Sequence, residues 1–475
     1  MKSKLSIKAL LYFAAIMLAF TACELADPTN VTNPQITDEA LRANATGGTT
    51  ALITGLRRAY SDASRQAHIL DVTSDNYFNT ASFISNSLDR PFTVTTLDLT
   101  LPTVYNAMQI LNALADFGLT TIIPRDNLTT DDQRADAHFY RGMALIFLSE
   151  NFSAFPIQEN GSPTASKDAA RLAVDEFNTA FDLASLAETR VNCKLALARA
   201  YRLTGDRANA SLEAQAALAL PGGADHVFFA EYDASGAALN NTPQSRVVAT
   251  NDLQPLPRLD FLDPKYTTLN TPIPGLKAEE AHLILAEVAL VNGDLAGGRA
   301  ALASAVTLAR SRPVTTFRDR DPRSNRPNDP NLAVKASASA PAVSGLIQQR
   351  SSALVNVYPV SATSINVADV EALVTATEHY RMLYLLRQEI FFLEGRRMSD
   401  LGIRLPVTDR QIQTNTNVVA GNAGTVVTVP SYIPAGGSEL DQFTTDAAAG
   451  VVTILHDMNQ LIAENIQQVS PFLAQ

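Results

Sequence analysis

The sequence predicts a mainly α fold in which helices pair as they do in tetratricopeptide repeats. Residues 197–206 and 285–294 share a pattern, a helix of leucine and alanine that ends in Gly-Asp at Gly205 and Gly293. Glycine accepts the left-handed conformation that ends a helix, and the following aspartate can cap the next helix. Small residues also let two helices approach closely. The alternative is two unrelated alanine-rich hairpins.

Further helices follow from apolar spacing and end signals. We expect one over residues 37–64, where leucines and a tyrosine recur every four residues, and a buried one over residues 129–151, begun by Thr130 and two aspartates. Another helix is expected from Leu172 to Ala184, and a last one over about residues 442–468.

The stretches between these helices are long and irregular. Residues 221–274, 312–341 and 420–437 are rich in proline, glycine or polar side chains and show little periodicity. Loops of this length in a folded domain usually carry function or are disordered. We therefore expect the irregular stretches to hold any binding site.

The N-terminus has the pattern of a lipoprotein signal peptide. Three lysines precede the apolar run Ala9–Phe20, and the small residues Thr21 and Ala22 precede Cys23. That run is too short to span a bilayer. We predict a signal peptide over residues 1–22 and lipidation of Cys23; a secreted protein with an incidental Cys23 is the alternative.

Net charge excludes some partners. The formal charge is −11, and loss of the three signal-peptide lysines would make it about −14. An acidic chain lacks the basic surface that nucleic acids require. It would also not bind anionic lipid by charge, so its contact with the membrane is expected to come from acyl chains.

No catalytic or cofactor motif is present, so we predict no enzyme, no metal and no cofactor. The sequence has no P-loop, dinucleotide fingerprint or nucleophile elbow, and no histidine pairs at metal-ligand spacing. Asp319, Asp321 and Asp329 fail the EF-hand template and are expected in a solvated charged loop. Cys193 is expected to be a small buried helix residue, with a catalytic thiol as the alternative.

Several weak motifs occur in an informative order. They are Cys23, Ser74-Asp75-Asn76, Ala137 with Phe139 and Arg141, Phe155-Pro156, Asp263-Pro264-Lys265-Tyr266, Ala278-Glu279 to Gly293-Asp294, and Glu394-Gly395-Arg396-Arg397-Met398-Ser399-Asp400-Leu401. In this order the chain resembles the SusD/RagB family of outer-membrane nutrient-binding lipoproteins. It departs from the family pattern in lacking Trp after Asp400 and in having Lys265 for Arg.

The last motif has a structural interpretation as well. Glu394, Arg397 and Asp400 are three residues apart, and such spacing could form a ladder of ion pairs on one helix face.

The resemblance implies a SusD-like fold with four tetratricopeptide-like units, as one domain over residues 23–475 with the repeats within about residues 130–310. It implies a glycan or peptide ligand and a SusC-like TonB-dependent transporter as partner. Carried over from the family, the candidate ligand-binding residues are Asp75, Asn76, Tyr77, Tyr266 and Arg318.

Three functions compete at this point. The first is a nutrient-binding lipoprotein on the outer face of the outer membrane. The second is a tetratricopeptide-like scaffold for outer-membrane assembly with no small ligand. The third is a secreted hydrolase, which the missing motifs disfavour.

Overall fold

The structure is a computed structural model that describes residues 47–79, 88–233, 253–319, 327–350, 354–434 and 440–474. The predicted signal peptide, Cys23 and Asp321 lie outside the described residues. The helices are α1 (Gly48–Ile69), α2 (Leu101–Phe117), α3 (Asp131–Asn151), α4 (Ser166–Leu183), α5 (Ala187–Thr204), α6 (Arg207–Ala219), α7 (Ala278–Val291), α8 (Leu295–Ser311), α9 (Val367–Glu371), α10 (Ala376–Ile390), α11 (Arg397–Asp400), α12 (Asp409–Thr414), α13 (Met458–Glu464) and α14 (Ile466–Val469).

The long helices stack in chain order. From α1 to α8 each helix packs on the next, α8 packs on α10, and α10 packs on α13. Helices α3 to α8 form three consecutive antiparallel pairs. This stack confirms the predicted mainly α, tetratricopeptide-like fold. No helix among the described residues is both long and apolar enough to cross a membrane.

The two Gly-Asp corners have the predicted geometry. Gly205 and Gly293 adopt positive φ angles of 81° and 79° at the ends of α5 and α7. The side chain of Asp206 accepts a hydrogen bond from the Asn209 N–H at 3.1 Å, and Asp294 accepts one from the Gly297 N–H at 2.8 Å. The sequence match therefore reflects two helix hairpins with the same turn chemistry.

Helix α3 packs against α1, α2, α4 and α5. Thr130 caps it in a capping box with Gln133, and its second half is buried throughout. Neighbouring α5 packs with alanines and holds Cys193, which is fully buried. The predicted starting point of α3 and the burial of Cys193 are confirmed.

Short strands between the helices pair into small sheets. They are β1 (Tyr77–Asn79), β2 (Ala154–Pro156), β3 (Pro163–Ala165), β4 (Val227–Ala230), β5 (Leu253–Pro255), β6 (Ile273–Lys277), β7 (Thr315–Phe317), β8 (Ala333–Lys335), β9 (Ala342–Val343), β10 (Val355–Val357), β11 (Phe443–Asp446) and β12 (Val451–Ile454). The largest sheet has the order β11-β12-β8-β9, and the other strands pair in twos.

The prediction of one last helix over residues 442–468 is wrong. Its first half is the antiparallel hairpin β11–β12, and only Met458–Glu464 and a final turn are helical. Gly450 takes a positive φ of 68° in the turn, and the Asp446 side chain accepts a hydrogen bond from the Ala449 N–H. Strand β12 is Val-Val-Thr-Ile, and such β-branched residues favour a strand that can pair with β8.

Candidate functional site

A cleft lies where α1, α3, the start of α5 and β4 meet. Its volume is about 720 Å³, within the size range of small-molecule sites. Its lining residues include Thr54, Arg57, Arg58, Tyr60, Ser61, Asp136, Phe139, Tyr140, Leu186, Glu188, Thr189, Asn192, Val227, Phe228, Phe229, Glu231, Tyr232 and Asp233. We call this site the aromatic cleft.

Four packed rings form the inner wall of the aromatic cleft. Tyr60 of α1 lies 5.6 Å from Tyr140 and 5.3 Å from Phe228, measured between ring centroids. Phe139 meets Phe228 edge-on at 5.2 Å. These rings come from three separate elements, so the wall exists only because α1, α3 and β4 pack together. Phe229 adds a half-buried ring to the same cleft.

Charged side chains line the cleft beside this apolar wall. An Arg57 guanidinium nitrogen lies 3.2 Å from a carboxylate oxygen of Asp136. Burial raises the pKa of Asp136, and the nearby Arg57 opposes that rise. For Arg57 burial acts to lower the pKa, but Tyr140 and Asp136 outweigh it, so the pKa of Arg57 is raised. The site can therefore offer a cation, a carboxylate and the half-buried rings of Phe228 and Phe229 to one solute.

The predicted ligand residues Asp75 and Asn76 lie elsewhere, in the core. Both carboxylate oxygens of Asp75 accept hydrogen bonds from Arg397, at 2.6 and 2.9 Å. The Gln388 side-chain amide donates to Asp75 at 2.8 Å and to the Asn76 side-chain oxygen at 3.1 Å. Asp75 and Asn76 are at most 2% exposed, which favours a structural role for them in this conformation.

Tyr77 and Tyr266 are buried as well, whereas Arg318 is at the surface. The Tyr77 hydroxyl donates to a carboxylate oxygen of Asp263 at 3.2 Å, and the Tyr266 hydroxyl donates to the Leu393 carbonyl at 2.9 Å. Arg318 follows β7 and is exposed. None of the five predicted ligand residues lines the aromatic cleft. Ligand binding by these five residues stays a prediction. Burial makes all of them except Arg318 less accessible to a ligand.

The predicted ion-pair ladder of the last motif is wrong. Glu394 accepts hydrogen bonds from Lys265 and Lys277, each at 2.6 Å, and Arg397 pairs with Asp75. Asp400 instead accepts two hydrogen bonds of 2.8 Å from Arg387. Helix α11 begins only at Arg397, so Glu394 is not on its face. Because each charge is buried, each needs a partner from another element.

The predicted solvated loop is also wrong at Asp319. This side chain is 1% exposed and lies 3.1 Å from the Nε atom of Arg350, which also binds Asp260 and Asp263. Asp329 is exposed, as predicted. Burial of Asp319 depends on Arg350, 31 residues away, a partner that local sequence does not reveal.

Sequence reasoning missed the aromatic cleft. Tyr60 and Phe139 have the spacing of core positions on their helices, and they are indeed buried. The available signal was the pair of adjacent aromatics in Phe139-Tyr140 and again in Phe228-Phe229, because adjacent residues point to different faces. Within the described ranges, no group of three or more His, Cys, Asp or Glu could hold a metal ion.

The fold resembles solved structures of one superfamily. No protein-family model matches the sequence. No curated protein matches it at a significant level either. A SusD superfamily protein from Bacteroides fragilis aligns with a TM-score of 0.52 and 11% identity, covering 78% of this chain and 98% of its own.

Two SusD superfamily proteins from Bacteroides vulgatus are similar to a comparable degree. One has a TM-score of 0.51 and 12% identity, covering 74% of this chain and 87% of its own. The other has a TM-score of 0.50 and 13% identity, covering 75% of this chain and 87% of its own. Structural similarity at such low sequence identity establishes the architecture and not the ligand. The protein therefore has the fold of the SusD superfamily.

Proposed function

We propose that the protein is a cell-surface lipoprotein that binds a nutrient, a glycan or a peptide, and delivers it to a SusC-like TonB-dependent transporter. The observation that carries the proposal is an aromatic cleft of about 720 Å³ in a SusD-like helix stack. Ring faces stack on apolar C–H surfaces of sugars or on peptide side chains. Charged rim residues then orient the polar groups of the solute. Binding and release need no bond to break, so the proposed role is not enzymatic.

The anchor is the part of the proposal that concerns location. Acylation of Cys23 would hold the helix stack, whose first described helix α1 begins at Gly48, at the outer membrane. Two or three acyl chains suffice for stable anchoring. We expect mass spectrometry of the native protein to find an acylated N-terminal cysteine after removal of residues 1–22. An unlipidated N-terminus would contradict the anchor.

Binding is tested with the chain from residue 24 onward, on an array of glycans and oligopeptides. We expect a ligand with a dissociation constant between about 1 μM and 1 mM. Replacing Phe229 by alanine should weaken that ligand about 5- to 10-fold, because a half-buried ring on the cleft is lost. Titration calorimetry measures the change.

Leu212→Ala is the matched control, since Leu212 is an apolar side chain on α6, 59% exposed and outside the cleft. It should leave the affinity unchanged. An array with no ligand at all would favour the scaffold without a small ligand. Equal affinities of the wild type and Phe229→Ala would remove the aromatic cleft from the proposal.

A further inference from the structure

Strand β4 lines the aromatic cleft through Val227, Phe228 and Phe229, and among the described residues β6 is its only strand neighbour. Strand β4 pairs with β6 in antiparallel register, with Val227 opposite Lys277. The His226 carbonyl accepts a hydrogen bond from the Ala278 N–H at 3.0 Å. Antiparallel pairs alternate, so the backbone N–H and C=O of Val227, the next residue, point away from β6. A strand edge of this kind is a template for a further strand.

Both ends of β4 are fixed to the helices that border the cleft. At its start a ring nitrogen of His226 lies 2.6 Å from the side-chain oxygen of Asn192 on α5. Beyond its end the Tyr232 hydroxyl donates to the Ser61 carbonyl of α1 at 2.8 Å. The strand thus spans the cleft from α5 to α1. Its outer edge is held in place before any ligand arrives, which lowers the entropic cost of binding.

The rim of the cleft carries exposed charges of both signs. Arg57 and Arg58 lie on α1. Glu188 lies on α5, and Glu231 is the residue that follows β4. A neutral glycan has no charge for these groups to pair with. A short peptide with free termini has one positive and one negative end, so its charges complement the rim.

We propose that the aromatic cleft binds an extended oligopeptide with free termini, which adds as a strand to the outer edge of β4. Backbone hydrogen bonds to Val227 give affinity for any sequence, while the half-buried rings of Phe228 and Phe229 contact side chains of the peptide. The inference rests on the proposed function and names the ligand class for the same site.

The first experiment varies the ligand on the wild-type chain from residue 24 onward. The probe is penta-alanine with free termini, compared by calorimetry with an analogue N-methylated at its three inner residues. N-methylation removes the backbone donors and blocks strand pairing, so we expect at least 10-fold weaker binding. Blocking both termini should weaken binding about 3- to 10-fold, because the charge complement to the rim is lost.

The second experiment varies the strand. Val227→Pro removes the outward N–H, a change that edge strands tolerate, and should weaken penta-alanine at least 10-fold. Val227→Thr keeps the N–H and the β-branched shape, and should bind within about 2-fold of the wild type. If Val227→Pro does not fold, as judged by circular dichroism, the N-methylated peptide decides alone.

Equal binding of penta-alanine and its N-methylated analogue would overturn strand addition. Binding of glycans on the array without any binding of peptides would overturn the ligand class and leave the proposed function standing. Absence of both kinds of ligand would count against the proposed function itself.

Discussion

Replacing Asp75 by asparagine is expected to lower the free energy of unfolding by about 3–5 kcal/mol, the usual cost of breaking a buried ion pair. The mutation removes the carboxylate that holds Arg397 through two hydrogen bonds and leaves the guanidinium buried. Burial alone would lower the pKa of Arg397, but Asp75 outweighs it and raises that pKa. The loss is measured by urea unfolding followed by circular dichroism.

Asp168→Asn is the matched control, because Asp168 pairs with Arg171 at the surface, where both side chains are more than half exposed. That substitution should cost less than about 1 kcal/mol. The comparison also separates the two roles considered for Asp75. A variant Asp75→Asn of unchanged stability that no longer bound ligand would restore Asp75 as a binding residue.

Replacing Asp71 by asparagine is expected to stabilise the protein at alkaline pH. The Asp71 carboxyl is 1% exposed, and burial is the main cause that raises its pKa to about 8; Glu394 raises it further, while Lys265 opposes the shift. A carboxyl with a raised pKa binds its proton more tightly in the folded state than in the unfolded state. Its contribution to stability is therefore present at acid pH and lost as the pH rises from about 4 to 8.

A shift of this size corresponds to several kcal/mol, at about 1.4 kcal/mol per pKa unit. We expect Asp71→Asn to gain about 2–5 kcal/mol over the wild type at pH 8 and almost nothing at pH 4. Urea unfolding from pH 4 to pH 9 measures the difference, with Asp168→Asn as the surface control whose effect should stay below about 1 kcal/mol. A difference between Asp71→Asn and the wild type that did not change with pH would show that Asp71 is ionised throughout.

Local signals in the sequence determined the helices and their ends. Thr130 caps α3 because a threonine oxygen there can accept the N–H of Gln133, three residues away. Gly205 ends α5 because glycine adopts a positive φ without a steric penalty. Asp206 starts α6 because its side chain accepts the N–H of Asn209, three residues away. These interactions span a few residues, so the order of amino acids contains them. Apolar spacing and the ordered motifs added the correct expectation of a SusD-like helix stack.

Tertiary structure alone decided the partners of the buried charges and the position of the cleft. Asp75 and Arg397 are 322 residues apart, and nothing near Asp75 shows that its carboxylate is neutralised in the core. The hairpin β11–β12 likewise depends on pairing with the distant β8, which overrode the helical spacing of its apolar residues. The aromatic cleft forms where α1, α3, α5 and β4 meet. Contacts between remote segments are set by packing of the whole chain. They therefore cannot be predicted from residues that are close together in the sequence.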